Sequence, residues 1–147
     1  MDTMTYGSLK LENQLCFPLY AASREIIKLY KPYLDELDLT YTQYITMLLL
    51  WEHHTLTVKE MGALLYLDSG TLTPLLKKLE AKGYLTRVRS TEDERNLNVT
   101  VTDEGMALQA RAAAIPTEMA EKSPLDTEEA TTLYRTLYKI LENISAQ

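Results

Sequence analysis

Apolar residues recur at helical spacing along most of the chain. Leu15, Leu19, Ile26, Ile27 and Leu29 mark a first long helix from about Leu9 to Tyr33. Thr40 followed by Gln43 is a capping box that opens the apolar stretch YTQYITMLLLW, and Thr57 followed by Glu60 opens VKEMGALLY in the same way. The stretch TPLLKKLEAKG continues as a further helix, closed by Gly83 where a left-handed residue ends helices. The period then changes. YLTRVRS and NLNVTVT alternate apolar and polar residues around the charged loop TEDER, which predicts a β-hairpin. Thr102 can cap the next helix, an alanine-rich one interrupted at Pro116. Asp126 and Glu129 form a third capping box, opening a last helix. There Ala130, Leu133, Leu137, Ile140, Leu141 and Ile144 make one apolar stripe.

Two short helices joined by a tight turn and followed by a hairpin describe a winged helix-turn-helix. The expected fold class is mainly α with a small β-hairpin wing, a single domain over residues 1–147. A winged lobe occupies about 40–102. The end segments, about 9–33 and 103–147, are long for a domain of this size and carry apolar stripes suited to a dimer interface.

Composition narrows the function. Of 147 residues, 46% are apolar and 24% charged, as in ordinary soluble proteins. No secretory leader pattern stands in residues 1–30, and the longest apolar run, Met47 to Trp51, is far too short to span a bilayer. A single cysteine excludes an intrachain disulfide and any multi-cysteine metal site, and makes a reducing, cytoplasmic home the default expectation. No cofactor is called for. The net charge of −6 argues at first against nucleic acid, but residues 73–102 carry six basic side chains against four acidic ones. Only the local potential reaches a docking phosphate, so a modest basic face can work inside an acidic whole.

The residues LYLDSGTLTPLLKKLE, followed by DERNLNVTVTDEG, resemble the MarR family of dimeric winged-helix transcription regulators. Within it, LENQLCF, YKPYLDELDLTYTQY and LLLWEHHTLTVKEMG are similar to the peroxide-sensing branch, the organic hydroperoxide resistance regulators with one reactive cysteine. The resemblance covers roughly residues 9–105. It implies a dimer bound to palindromic operator DNA as a repressor and released when Cys16 is oxidised by organic hydroperoxide. A low-molecular-weight thiol can then cap the oxidised sulfur.

On this reading the helix near Ser69 lies in the major groove. Its first residues, Asp68, Ser69, Thr71 and Thr73, face base edges or phosphates. Lys77 and Lys78 would meet the backbone, and Arg87 joins them as a candidate DNA contact. Helix capping is the competing role for Asp68 and Ser69. Local rules conflict here, because Thr73-Pro74 looks like a cap followed by proline at the first helical position. The resemblance starts the helix near Ser69 and leaves Pro74 inside it, with one backbone hydrogen bond lost. Arg95 is the expected minor-groove contact, since guanidinium groups favour that groove's negative potential. The resemblance implies that Asp93 holds it in place.

Cys16 must react as a thiolate, which needs a pKa below the ordinary value of about 8.5. Its sequence neighbours offer little cationic help, but the chain has ten tyrosines against one phenylalanine, and phenol groups can donate hydrogen bonds to a thiolate. Cys16, Tyr20, Ser23, Ile27 and Tyr30 share one helical stripe, with Tyr30 about 21 Å along the axis from Cys16. Within one chain they cannot touch; across an antiparallel crossing of two first helices they can. The resemblance implies that Tyr30 and Tyr41 face the cysteine across the dimer interface, with Tyr20 a weaker third.

Pro18 departs from the family pattern. Inside a continuous helix its ring would clash with the Gln14 carbonyl. Either the regular helix begins near Phe17, which places Cys16 at a helix N-terminus, or the helix kinks there.

Three rival readings compete with peroxide sensing by a repressor. One is a MarR-type repressor released by a small phenolic or apolar ligand, or a broader thiol-based global regulator. A second is a thiol peroxidase dependent on an external reductant. The weakest is a metal sensor using Glu52, His53 and His54.

Overall fold

The computed structural model describes residues 6–92 and 96–145. It divides into two compact units, Met1–Tyr41 and Thr42–Gln147.

The first unit opens with two short 3₁₀ turns, Gly7–Leu9 and Leu11–Asn13. Side-chain amides tie them: Asn13 Nδ2 donates to the Gly7 carbonyl at 2.7 Å, and Gln14 Nε2 to the Ser8 and Lys10 carbonyls at 2.7 and 2.8 Å. Helix α1 then runs from Cys16 to Glu36. The expected start near Leu9 is thus seven residues early (9 against 16). Pro18 supplies the reason. At the third helical position it lacks only an amide that has no helical acceptor, whereas Gln14 is extended (φ −95°, ψ 113°), which takes its carbonyl out of the ring's way. The helix starts where the proline allows, without a kink at that point. A second proline, Pro32, lies inside α1 and withholds the amide that would bond to the Lys28 carbonyl, one turn before the helix ends.

The second unit carries the winged helix-turn-helix. Helix α2 (Tyr41–His53) leads into a three-residue strand β1 (Thr55–Thr57), helix α3 (Val58–Leu65) and helix α4 (Ser69–Ala81). Strands β2 (Leu85–Arg89) and β3 (Leu97–Val101) form the hairpin, followed by α5 (Asp103–Ala112), α6 (Ile115–Lys122) and α7 (Thr127–Ile144). Among the described residues the sheet has three antiparallel strands in the order β1-β3-β2. Leu56 faces Val99 in one pairing and Arg87 faces Val99 in the other.

Local chemistry explains most boundaries. Thr57 and Glu60 form the reciprocal capping box at α3, and Asp126 and Glu129 do the same at α7. Gly83 takes φ +87° just past α4, a conformation open to it for want of a Cβ. Pro116, expected to interrupt one long helix, instead sits in the first turn of a separate helix, α6, where its missing amide costs nothing. Strand β1 was not expected; three residues are too few to show a period.

Met47, Leu50, Met61, Leu72, Leu79 and Val99 are fully buried and Leu76 and Leu85 nearly so, which joins α2, α3, α4 and the hairpin in one core. Trp51 extends it: its indole N–H donates to the Gly105 carbonyl at 2.9 Å, pinning α5 to α2. A Cβ on Gly105 would run into the Tyr84 backbone carbonyl, so glycine permits this close approach. The long end helices are different. On α1, Leu19, Ile26, Ile27 and Leu29 are exposed, and on α7 Leu133, Tyr138, Ile140 and Ile144 are exposed. No helix among the described residues is long and apolar enough to cross a membrane.

Candidate redox and nucleic-acid sites

Cys16 occupies the first helical position of α1 and is exposed in the single chain. No side chain caps that end of the helix. Tyr20, one turn on, is 58% exposed, and Arg24 covers it: the guanidinium carbon lies 5.5 Å from the ring centroid, and Nη1 is 3.4 Å from the phenol oxygen. The Arg24 charge, two turns from the sulfur, is therefore engaged with a phenol one turn from it.

Tyr30 and Tyr41 come together. Their ring centroids are 5.1 Å apart, in an edge-to-face contact at 61°. Burial, and then the neighbouring Tyr30, push the Tyr41 phenol above its ordinary value of 10.0. At neutral pH it therefore keeps its proton and stays a hydrogen-bond donor. Because α1 is continuous from Cys16 to Glu36, Tyr30 stands about 21 Å from Cys16 along the helix axis. The chain thus pairs Tyr30 with Tyr41 at one place and leaves its thiol, with Tyr20, at another.

In the second unit, α4 begins at Ser69 with Asp68 as its cap, and Pro74 lies inside it, as the resemblance implied against the local proline signal. Asp68 Oδ1 accepts from the Thr71 N–H at 2.7 Å. That bond first, with further help from the Thr71 side chain and the Gly70 amide, holds the Asp68 carboxyl below its ordinary value of 3.8. Asp68 is thereby assigned a capping role in the free chain. Ser69, Thr71, Lys77 and Lys78 are exposed and Thr73 is half-buried. Leu72, Leu75, Leu76 and Leu79 pack inward on the opposite face.

Arg87 is engaged within the chain. From β2 its Nε and Nη2 donate to Glu80 Oε1 at 3.1 and 3.0 Å, and its backbone N–H donates to Glu80 Oε2 at 3.0 Å. These bonds hold the Glu80 carboxyl below its ordinary value of 4.5. Asp93 and Arg95 lie outside the described residues.

Spacing alone missed some residues. Glu80 entered only as one acid among basic neighbours, and its partner is reached by a chain reversal that no helical period displays. Lys59 and Arg89 border a concavity of about 640 Å³ that also touches Ser69, Thr73 and Asn96. Their one sequence signal is charge near a capped helix start and a strand end. His53 Nε2 lies 3.6 Å from Glu52 Oε2, and His54 adopts a left-handed backbone (φ 66°), so the adjacent histidines end a helix.

A family model described as transcriptional regulator SarA/Rot matches residues 28–111. A protein of Bacillus subtilis named organic hydroperoxide resistance transcriptional regulator is 52% identical over 139 residues, spanning 95% of each chain. The structure of reduced AbfR bound to DNA superposes with a TM-score of 0.78 at 34% identity, covering 97% of this chain and 99% of that one. A mutant MarR of Escherichia coli, complexed with operator DNA, gives 0.75 at 25% identity over 84% and 90% of the two chains. With its winged lobe and its matched segment running from α1 through α5, the chain belongs to the SarA/Rot family of MarR-type winged-helix transcription regulators.

Proposed function

We propose that the chain is a cytoplasmic, homodimeric repressor that binds palindromic operator DNA and lets go when organic hydroperoxide oxidises Cys16. The observation that carries this reading is an exposed lone thiol at the head of α1, with a half-buried phenol pair, Tyr30 and Tyr41, further along the same unit. An antiparallel crossing of two α1 helices places the phenols of one subunit beside the thiol of the other. The exposed apolar stripes of α1 and α7 supply the surface such a dimer covers.

The chemistry is stoichiometric, not catalytic. The thiolate attacks the outer peroxide oxygen; the O–O bond breaks, the alkoxide departs and takes a proton from water to become the alcohol, and sulfur becomes sulfenic acid. A low-molecular-weight thiol then condenses with it, giving a mixed disulfide and water. Either product is larger than a thiolate and bonds differently with the phenols. Reading heads matched to half-sites about 34–36 Å apart lose register after small rotations. A tenfold loss of affinity takes only about 1.4 kcal/mol. In the complex, α4 enters the major groove with Ser69, Thr71 and Thr73 leading, Lys77 and Lys78 meet phosphates, and Arg95, steadied by Asp93, reaches the minor groove.

Similarity to the hydroperoxide regulator and to DNA-bound AbfR supports this reading. Its test is an operator gel shift against cumene hydroperoxide, with and without added thiol. Cys16→Ser should bind the operator and stay bound; release of that variant by peroxide would end the proposal.

A further inference from the structure

Strand β2 is one edge of the sheet, paired among the described residues with β3 alone. In an antiparallel ladder, alternate residues of an edge strand turn their N–H and C=O groups away from the partner. Arg87 is such a residue, and its outward N–H is taken by Glu80 from the last turn of α4. The same carboxylate holds the Arg87 guanidinium through two nitrogens, on a side chain only 19% exposed. One acid on the reading helix therefore fixes both the backbone and the side chain of the strand that leads into the wing.

We infer that Glu80 and Arg87 are a positioning pair that sets the wing against α4, and that Arg87 serves DNA binding through this pair without touching phosphate. The inference rests on the DNA-reading function proposed above. Its consequence runs against simple electrostatics. Removing Glu80 takes a negative charge off a DNA-facing lobe and on charge alone should tighten binding; loss of the positioning pair should weaken it.

The test uses a duplex that the full-length wild-type chain selects from a randomised pool, with titrations over a salt series. Glu80→Ala and Arg87→Gln should each weaken binding about tenfold, and the double variant should be no weaker than either. Binding to an unrelated duplex should be unchanged or tighter for Glu80→Ala. Losing a phosphate contact would lower the slope of log affinity against log salt by about 1; here Arg87→Gln should leave it unchanged. Equal or tighter selected-duplex binding by Glu80→Ala, or a slope reduced by Arg87→Gln, overturns the inference.

Amide hydrogen exchange in DNA-free protein supplies an independent arm. The Arg87 amide should exchange faster in Glu80→Ala with the melting temperature nearly unchanged, and an unaltered rate also overturns the inference. If Glu80→Ala does not fold, Glu80→Gln replaces it in both arms. If the wild type selects no duplex, the DNA-binding reading fails, and the exchange measurement alone decides whether the pair holds the wing.

Discussion

The ring of Tyr30 meets the ring of Tyr41 edge to face, with centroids 5.1 Å apart. One comes from the middle of α1 and the other from the first residue of α2, so the contact closes the turn between two helices. The Tyr41 phenol, its proton held at neutral pH, is left to donate towards an anion.

Tyr30→Phe and Tyr41→Phe keep the ring contact and remove the hydroxyls. Each should slow oxidation of Cys16 by cumene hydroperoxide about tenfold while the reduced protein binds its operator normally. Rapid-mixing measurement of sulfenic acid formation checks this, and wild-type rates in both variants would remove the phenols from the mechanism.

Pro18 holds the start of α1 at Cys16. Pro18→Leu lets the helix extend backward past Gln14, which moves the sulfur out of the first turn where an anion is favoured. Alkylation by iodoacetamide at neutral pH should slow severalfold, about threefold or more. An unchanged rate would mean that the helix end contributes nothing to reactivity.

Arg95→Ala should weaken operator binding at least about tenfold at physiological salt, with the dimer intact by size-exclusion chromatography. Unchanged binding refutes the proposed minor-groove contact.

Gly105 allows α5 to approach the Tyr84 carbonyl, and Trp51 bonds to its carbonyl oxygen. Gly105→Ala forces those backbones apart and should cost about 2–4 kcal/mol. The melting temperature should fall by roughly 5–15 °C, measured by circular dichroism.

The Asp68 carboxyl lies below its ordinary value in the folded chain, so as pH falls the unfolded chain takes up its proton first. The stability it contributes is full above its unfolded value and is lost as pH drops through the folded one. Asp68→Asn keeps a capping acceptor and removes the titration. Its urea midpoint should therefore fall less than the wild type's between about pH 6 and about pH 3.

Much of the fold was legible because its signals are local. Thr57 with Glu60, Asp126 with Glu129, Thr102 and Gly83 each act within a few residues, and the structure uses all of them as read. Strand β1 was hidden because Thr55–Thr57 becomes a strand only through pairing with β3 more than forty positions later. The beginning of α1 was ambiguous because a proline marks either a start or a kink, and what lies before it decides. The candidate site divides the same way. The thiol and Tyr30 could be named from residue type and helical spacing, while Tyr41 and the start of α4 at Ser69 came from the family resemblance, against the local signal of Thr73-Pro74; the engagement of Arg87 by Glu80 depends on a chain reversal that brings helix and strand side by side.

Thr57 belongs to two structures at once: it ends the strand that pairs with the hairpin, and its hydroxyl caps the helix that begins the reading motif. Sheet and helices thus share a residue as well as a core. A push on the sheet is therefore passed to the helix it caps, like an oar turned at its handle. Release from DNA then needs no melting of the parts that read it.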